Sequence, residues 1–282
     1  MFSAISNLFG YVLNWLYTMV GQNYGIAIIL FSVILRIVLL PITIKQQESM
    51  KKTAKLQDEM NVLKVKFKNN PEKLNQETME LYKREKISPF SGCFSAIIQI
   101  VLILSVFWLV SQPLTYMKKI DTTIIDQYKN EIKEEFGTNS NYSEIEIIQK
   151  KAATDERVNI NMEFLGLDLS KVPNQNMKDI TVYIIPALYV ISSIISIKMT
   201  TAMQNKKKKD VIVNNGDKPD EGEMMQQMTK SMNYFMPVCT VWIAFIAPLG
   251  LALYWFVSNV LMILERLIIT KYVDLKEEKN ND

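Results

Sequence analysis

The chain contains no histidine, so no mechanism that needs an imidazole base or ligand is open to it. It has two cysteines, Cys93 and Cys239, both inside apolar runs, and no extracellular disulfide framework is implied. Its first 35 residues carry no charged side chain. Glycine and proline number nine each, so turns are rare and each one is informative. The apolar stretches contain no Asp or Glu away from their ends. A proton-coupled transporter would be expected to carry a carboxylate or histidine there.

What is present is apolar residue, 49% of the chain, gathered into blocks of about 20 residues. That pattern predicts an all-α integral membrane protein. Five transmembrane helices are expected: 24–44, 90–110, 180–201, 232–247 and 249–266. The last two share one uncharged stretch from Ser231 to Leu264, interrupted by Ala247-Pro248-Leu249-Gly250. A hairpin of two short spans is expected there, with one long kinked helix as the alternative.

Lysine and arginine set the expected orientation. Eleven basic residues fall within Lys45–Lys86, and four consecutive lysines occupy Lys206–Lys209. Met117–Asp179 holds nine basic and twelve acidic residues. The N-terminus is therefore expected outside, both lysine-rich loops in the cytoplasm, 117–179 outside, and the 267–282 tail in the cytoplasm. Residues 1–22 lack a basic start and a small-residue cleavage site, so they read as an amphipathic helix on the outer surface, with a sixth span as the alternative.

Between the spans, 45–88 reads as a helical hairpin. Met60, Leu63 and Phe67, then Leu74 and Leu81, recur at helical spacing on either side of the Asn69-Asn70-Pro71 break. These five residues are the candidate cytoplasmic docking positions, and a structural spacer is the alternative. Within 117–179, Glu131–Phe136 and Glu144–Arg157 are expected to form short helices, and no nucleophile–base pair, metal-ligand cluster or phosphate loop is found. The 204–231 segment reads as a polar linker leading into a methionine-rich helix.

Arg36 stands near the middle of the otherwise uncharged run Tyr24–Ile44. Burying its guanidinium at mid-bilayer costs about 3 kcal/mol or more, and arginine does not escape by deprotonating. It calls for a polar cavity, water or a counter-charge. The spans supply neutral polarity at Ser32, Ser95, Gln99, Ser105, Ser192, Ser193, Ser196, Thr200, Thr240, Ser258 and Asn259, which either hydrate a cavity around Arg36 or hydrogen-bond between helices. A cationic cavity without a catalytic group suits transient attraction of an acidic polypeptide or an anionic substrate.

These residues also carry a resemblance. Arg36 within GIAIILFSVILRIVLLPITIKQQESMKK resembles the first span of the YidC-type membrane protein insertases, relatives of the mitochondrial oxidase-assembly insertase. Ser88-Pro89-Phe90-Ser91-Gly92-Cys93, followed by Ile98-Gln99, resembles that family's Asn-Pro-x-x-Gly-Cys entry to the second span, with serine in place of asparagine. Phe164-Leu165-Gly166-Leu167-Asp168-Leu169-Ser170 resembles the segment leading to the third span. Pro248-x-Gly250-Leu251-Ala252-Leu253-Tyr254-Trp255 with Ser258-Asn259 resembles the final hairpin.

The resemblance implies five helices around a hydrophilic groove that is open to cytoplasm and lipid and closed toward the outside. It implies a non-enzymatic insertase and chaperone in the bacterial cell membrane, without cofactor or metal. Substrate contacts would then come from Arg36, Ser95, Gln99, Tyr254, Trp255, Ser258 and Asn259. Implied partners are nascent membrane proteins, the Sec translocon, the ribosome or signal recognition particle pathway and membrane lipids, with no stable nucleic-acid binding. An uncleaved N-terminus and a Gram-positive-like form without the large periplasmic domain are expected, and the stretch around 118–161 looks extended. The alternative is an anion or small-solute transporter with Arg36 as its selectivity charge.

Overall fold

The structure, a computed structural model, describes residues 2–85, 91–137, 140–205 and 239–281. Nearly all of the 204–231 linker with its lysine block, the methionine-rich run and residues 232–238 of the expected fourth span lie outside the described residues, as does Ser88-Pro89-Phe90. The protein is mainly helical: α1 (Phe2–Met19), α2 (Tyr24–Lys55), α3 (Gln57–Lys66), α4 (Pro71–Arg84), α5 (Ser91–Ser111), α6 (Thr122–Phe136), α7 (Ser143–Lys151) and α8 (Ile184–Asn205). A further helix, α9, covers residues 239–246, and α10 runs Leu249–Asn281. One antiparallel pair, β1 (Glu163–Phe164) with β2 (Leu167–Asp168), lies between α7 and α8. Among the described residues, three helical stretches are long and apolar enough to cross a membrane: Tyr24–Ser49, Ile180–Met199 and Leu249–Lys271. The shorter Ile97–Ser111 is also apolar.

Contacts divide the chain into two compact units. The first comprises Met1–Val38, Gln99–Ile194 and Val238–Met262; the second comprises Leu39–Ile98, Ile195–Pro237 and Ile263–Asp282.

In the first unit, α1 buries Ser6, Leu13, Leu16 and Tyr17, while Leu8, Tyr11, Trp15 and Met19 on its other face stay exposed. The Ser6 hydroxyl donates to the Ser105 carbonyl at 2.9 Å, and the Phe9 ring meets Phe31 edge-on at 5.4 Å. Ser105 is six residues inside the end of α5 and Phe31 seven inside the start of α2, about 10 Å along each helix. The first half of α1 therefore lies beside these helices rather than beyond their ends. Gly10 makes this approach possible, since a Cβ there would come to 1.8 Å from the Tyr116 carbonyl oxygen.

The stretch from Leu114 to Tyr183 is more ordered than its mixed charge suggests. Asp121 caps α6, which starts nine residues earlier than the sequence predicts, because the Asp121 carboxylate accepts from the Thr123 amide at 2.8 Å. Ile125, Ile132, Ile145, Ile147 and Ile148 join the main core. Glu144 is buried and accepts from the Leu114 and Thr115 amides at 2.8 and 3.0 Å, which fastens α7 to the turn after α5. Burial pushes its carboxyl pKa up, against the Thr115 and Leu114 donors that pull it down. The first amides of α10 have no partner within their own helix. Leu249 N–H donates to the Lys171 carbonyl and Gly250 N–H to the Leu169 carbonyl, both at 2.9 Å.

In the second unit, α2 continues through Pro41 to Lys55, past the expected end of the first span at 44. The charged residues from Lys45 onward end the apolar run but contain no helix breaker. The hairpin proper is α3 and α4, with Asn70 capping α4 by accepting from the Lys73 amide at 3.1 Å and Pro71 in the first turn. Leu56, Met60 and Leu81 form its seam, flanked by Leu63 and Tyr82. Similarly, α10 runs on past residue 266, where the last span was expected to end.

Candidate functional site: a polar layer at mid-span

The first unit gathers the polar residues of three helices at one depth. Arg36 lies twelve residues from Tyr24, about 18 Å along α2, and its side chain leans back toward the helix start. Its Nη2 donates to the Ser258 carbonyl at 3.1 Å. Ser258 and Asn259 lie nine and ten residues into α10, about 14–15 Å from its start. Tyr24 and Gly250, at the two starts, are neighbours, so these depths are measured from the same end of the unit.

Asn259 is buried, and its Nδ2 donates to the hydroxyls of Ser192 at 3.1 Å and Ser193 at 3.0 Å on α8. Ser192 in turn donates to the Tyr189 carbonyl at 2.9 Å. The Tyr189 hydroxyl shares a hydrogen bond with Thr240, and its ring lies 6.2 Å from that of Trp255. Tyr254 is buried within hydrogen-bonding reach of Ser258. Trp255 is buried, and its Nε1 has no partner among the described residues. An indole N–H left without a partner in an apolar interior costs about 1–3 kcal/mol.

Of the seven candidate contact residues, the structure brings Arg36, Tyr254, Ser258 and Asn259 into one connected layer, with Trp255 packed against it through Tyr189. Gln99 lies twelve residues back from the end of α5, at about the same 18 Å depth, and is exposed. The Ser95 side chain is outside the described residues. Ser192 and Ser193 matter more than their bare sequence suggests. The available signal was their adjacency within an apolar run, but nothing local identifies Asn259 as their partner.

The candidate docking residues have a different setting. Met60, Leu74 and Leu81 are buried, Met60 and Leu81 in the α3–α4 seam, and Phe67 is flanked by Lys66 and Lys73 over its ring at 5.2 and 5.4 Å. The exposed apolar positions of this hairpin are Val62, Val65 and Met79. A cleft of about 500 Å3 lies in the first unit, lined by residues such as Gln149, Asn161, Asp168 and Lys171 and by none of the polar layer. Among the described residues, no group of three or more His, Cys, Asp or Glu is placed to hold a metal ion.

Residues 15–278 match the family model described as the 60Kd inner membrane protein. A protein of Treponema denticola named membrane protein insertase YidC is 28% identical over 249 residues, covering 88% of this chain and 34% of its own length. Proteins of the same name from Fusobacterium nucleatum and Caldanaerobacter subterraneus are 36% and 41% identical over 107 and 105 residues, covering 38% and 37% of this chain. The matches span about a third to a half of these relatives' lengths: 34%, 52% and 50%. With 264 of its residues inside the family model, the chain belongs to the 60Kd inner membrane protein family, as an α-helical protein of the membrane.

Proposed function

We propose that this protein is a membrane protein insertase in which the mid-span polar layer receives the polar end of a substrate and the substrate's apolar helix then leaves sideways into lipid. The observation that carries this reading is Arg36 held at half depth by the Ser258 carbonyl, beside the Asn259–Ser192–Ser193 bonds and level with exposed Gln99. A permanently charged guanidinium and an exposed amide at that depth are costly against hydrocarbon. They are favourable when they line a water-accessible groove.

Five spans surround that groove: α2, α5 and α8, then the pair before and after the Ala247-Pro248 break. The second half of α1 and the 114–183 segment lie outside, the α3–α4 hairpin and the C-terminal tail in the cytoplasm. A short acidic tail of a nascent chain is drawn toward Arg36. At an effective dielectric of about 20, an ion pair at about 4 Å gives roughly 4 kcal/mol before desolvation. That is comparable with the cost of about 3 kcal/mol for one aspartate at mid-span. The attraction stays weak enough for release. The substrate helix then partitions into lipid by its own apolar burial, with no cofactor, alone or beside a Sec translocon. The α3–α4 hairpin meets nascent chains or targeting factors through its exposed face.

Arg36→Ala and Arg36→Lys, compared in liposomes on single-span substrates with acidic and neutral tails, test the reading. Arg36→Ala is expected to lower insertion of the acidic-tailed substrate about tenfold, the effect of about 1.4 kcal/mol, with Arg36→Lys retaining most of it. Equal insertion of both tails by Arg36→Ala overturns the electrostatic role. An anion conductance lost in Arg36→Ala, without any insertion, favours a channel instead.

A further inference from the structure

The turn between β1 and β2 holds an apolar residue that neither its backbone nor its packing explains. Phe164 pairs with Leu167, so Leu165 and Gly166 form a two-residue turn, with φ of 51° and 77°. Such a turn requires the left-handed region at both positions, and asparagine or aspartate before glycine is its usual solution. Leucine is disfavoured there by its Cβ. The Leu165 side chain is also 85% exposed, so protein packing does not offset that strain.

The position of the hairpin is well fixed. Asn23 Nδ2 donates to the Glu163 carbonyl at 3.0 Å, and the Tyr24 amide donates to the Asn161 carbonyl at 3.1 Å. The Phe164 ring packs on Gly25 so closely that a Cβ there would meet it at 2.4 Å. These are the first residues of the span that begins at Tyr24. On its other side, β2 touches the turn Ile180–Tyr183, which opens the span Ile180–Met199. The tip is thus held between the first turns of two spans, at the boundary of the hydrocarbon. Ile26 and Ile180, at the starts of those spans, are likewise exposed. The outward surfaces of spans meet acyl chains, and residues 164–167 carry no charge that would resist the same surroundings.

We infer that Leu165 is seated in the acyl chains of the bilayer and anchors the β1–β2 hairpin, and with it the segment packed on α2 and α10, to the membrane surface. The occupant of this exposed tip is lipid, by continuity with the lipid-facing surfaces of the two spans that flank it. The inference rests on the membrane location of the chain and not on the insertase reading.

The test uses the full chain in phospholipid vesicles, with Cys93→Ser and Cys239→Ser as background. An environment-sensitive fluorophore is attached through Leu165→Cys or, as a reference, through Glu134→Cys on the exposed face of α6. The label at 165 is expected to emit at shorter wavelength and to be quenched by nitroxide-labelled lipid rather than by aqueous iodide, with the reference showing the reverse. Iodide quenching at 165 without lipid quenching places the tip in water and overturns the inference. Protection from both quenchers places a second copy or another protein over it, and overturns it equally. Leu165→Asn supplies an independent measurement, because asparagine accepts the left-handed turn but not the acyl chains. In vesicles its amides from 161 to 169 are expected to exchange faster than those of the unaltered chain. Equal exchange removes the anchor.

Discussion

Gly10 and Gly25 are positions where the bundle leaves no room for a side chain. At Gly10 the obstacle is the Tyr116 backbone, which does not swing aside as a long side chain would. Gly10→Ala is therefore expected to destabilise the protein by about 1–3 kcal/mol and to loosen α1 from the turn after α5. Thermal unfolding in detergent and faster amide exchange in α1 check this; an unchanged midpoint counts against the tight approach. Glu144 is the second single-residue determinant. Glu144→Ala leaves the Leu114 and Thr115 amides without their acceptor, at about 1–3 kcal/mol for each buried group. The measurement is the same, read at α7. Arg36 belongs to this scale too, because a charge inside an apolar run is visible in the sequence without knowledge of any neighbour.

Among the elements, the segment leading from α7 to α8 depends on carboxylates that titrate in acid. The Lys171 ammonium and the Thr181 hydroxyl hold the Asp179 carboxyl at about 2, and Arg157 with Tyr128 holds Asp155 below the ordinary carboxylate range. Unfolded, both titrate near 3.8. Their folded values are depressed, so their stabilisation is complete above about pH 4 and is lost as pH falls toward 2. Amide exchange over 155–182 should rise across that window, and a flat profile would show that these pairs contribute little. The α3–α4 hairpin makes a different case. Leu81→Ala removes a seam residue and is expected to cost about 2–5 kcal/mol, read as faster exchange across residues 57–84. Helical periodicity located its apolar stripe. It could not say whether the stripe faces a partner or the sister helix, because both produce the same spacing.

At the scale of the whole molecule, the prediction concerns clients. Depletion of the protein followed by proteome-wide measurement of membrane insertion should reduce proteins with one or two spans and short acidic tails more than those with neutral tails. Uniform loss across all classes would argue against a groove organised around Arg36. The mid-span layer that motivates this is assembled from residues more than sixty positions apart: Asn259 meets Ser192 and Ser193, and Arg36 meets the backbone of Ser258. In sequence, each lone serine reads as ordinary helix packing, since a hydroxyl in a span bonds equally well to its own helix.

The sequence alone determined the membrane class, the place of Arg36 and the break at Asn69-Asn70-Pro71, because composition, charge and turn chemistry are local properties. It did not determine where helices end when polar residues continue them, as α2 does to Lys55. Nor did it reveal that 114–183 is folded around buried isoleucines and Glu144, because its alternating charges mask a core formed only when α6 and α7 pack. Only the tertiary structure decided which hydroxyls Asn259 meets, that the first half of α1 lies beside α2 and α5, and that Leu165 stands exposed where two spans begin. Each of these is a distance between residues far apart in the chain, set by packing and close backbone approach.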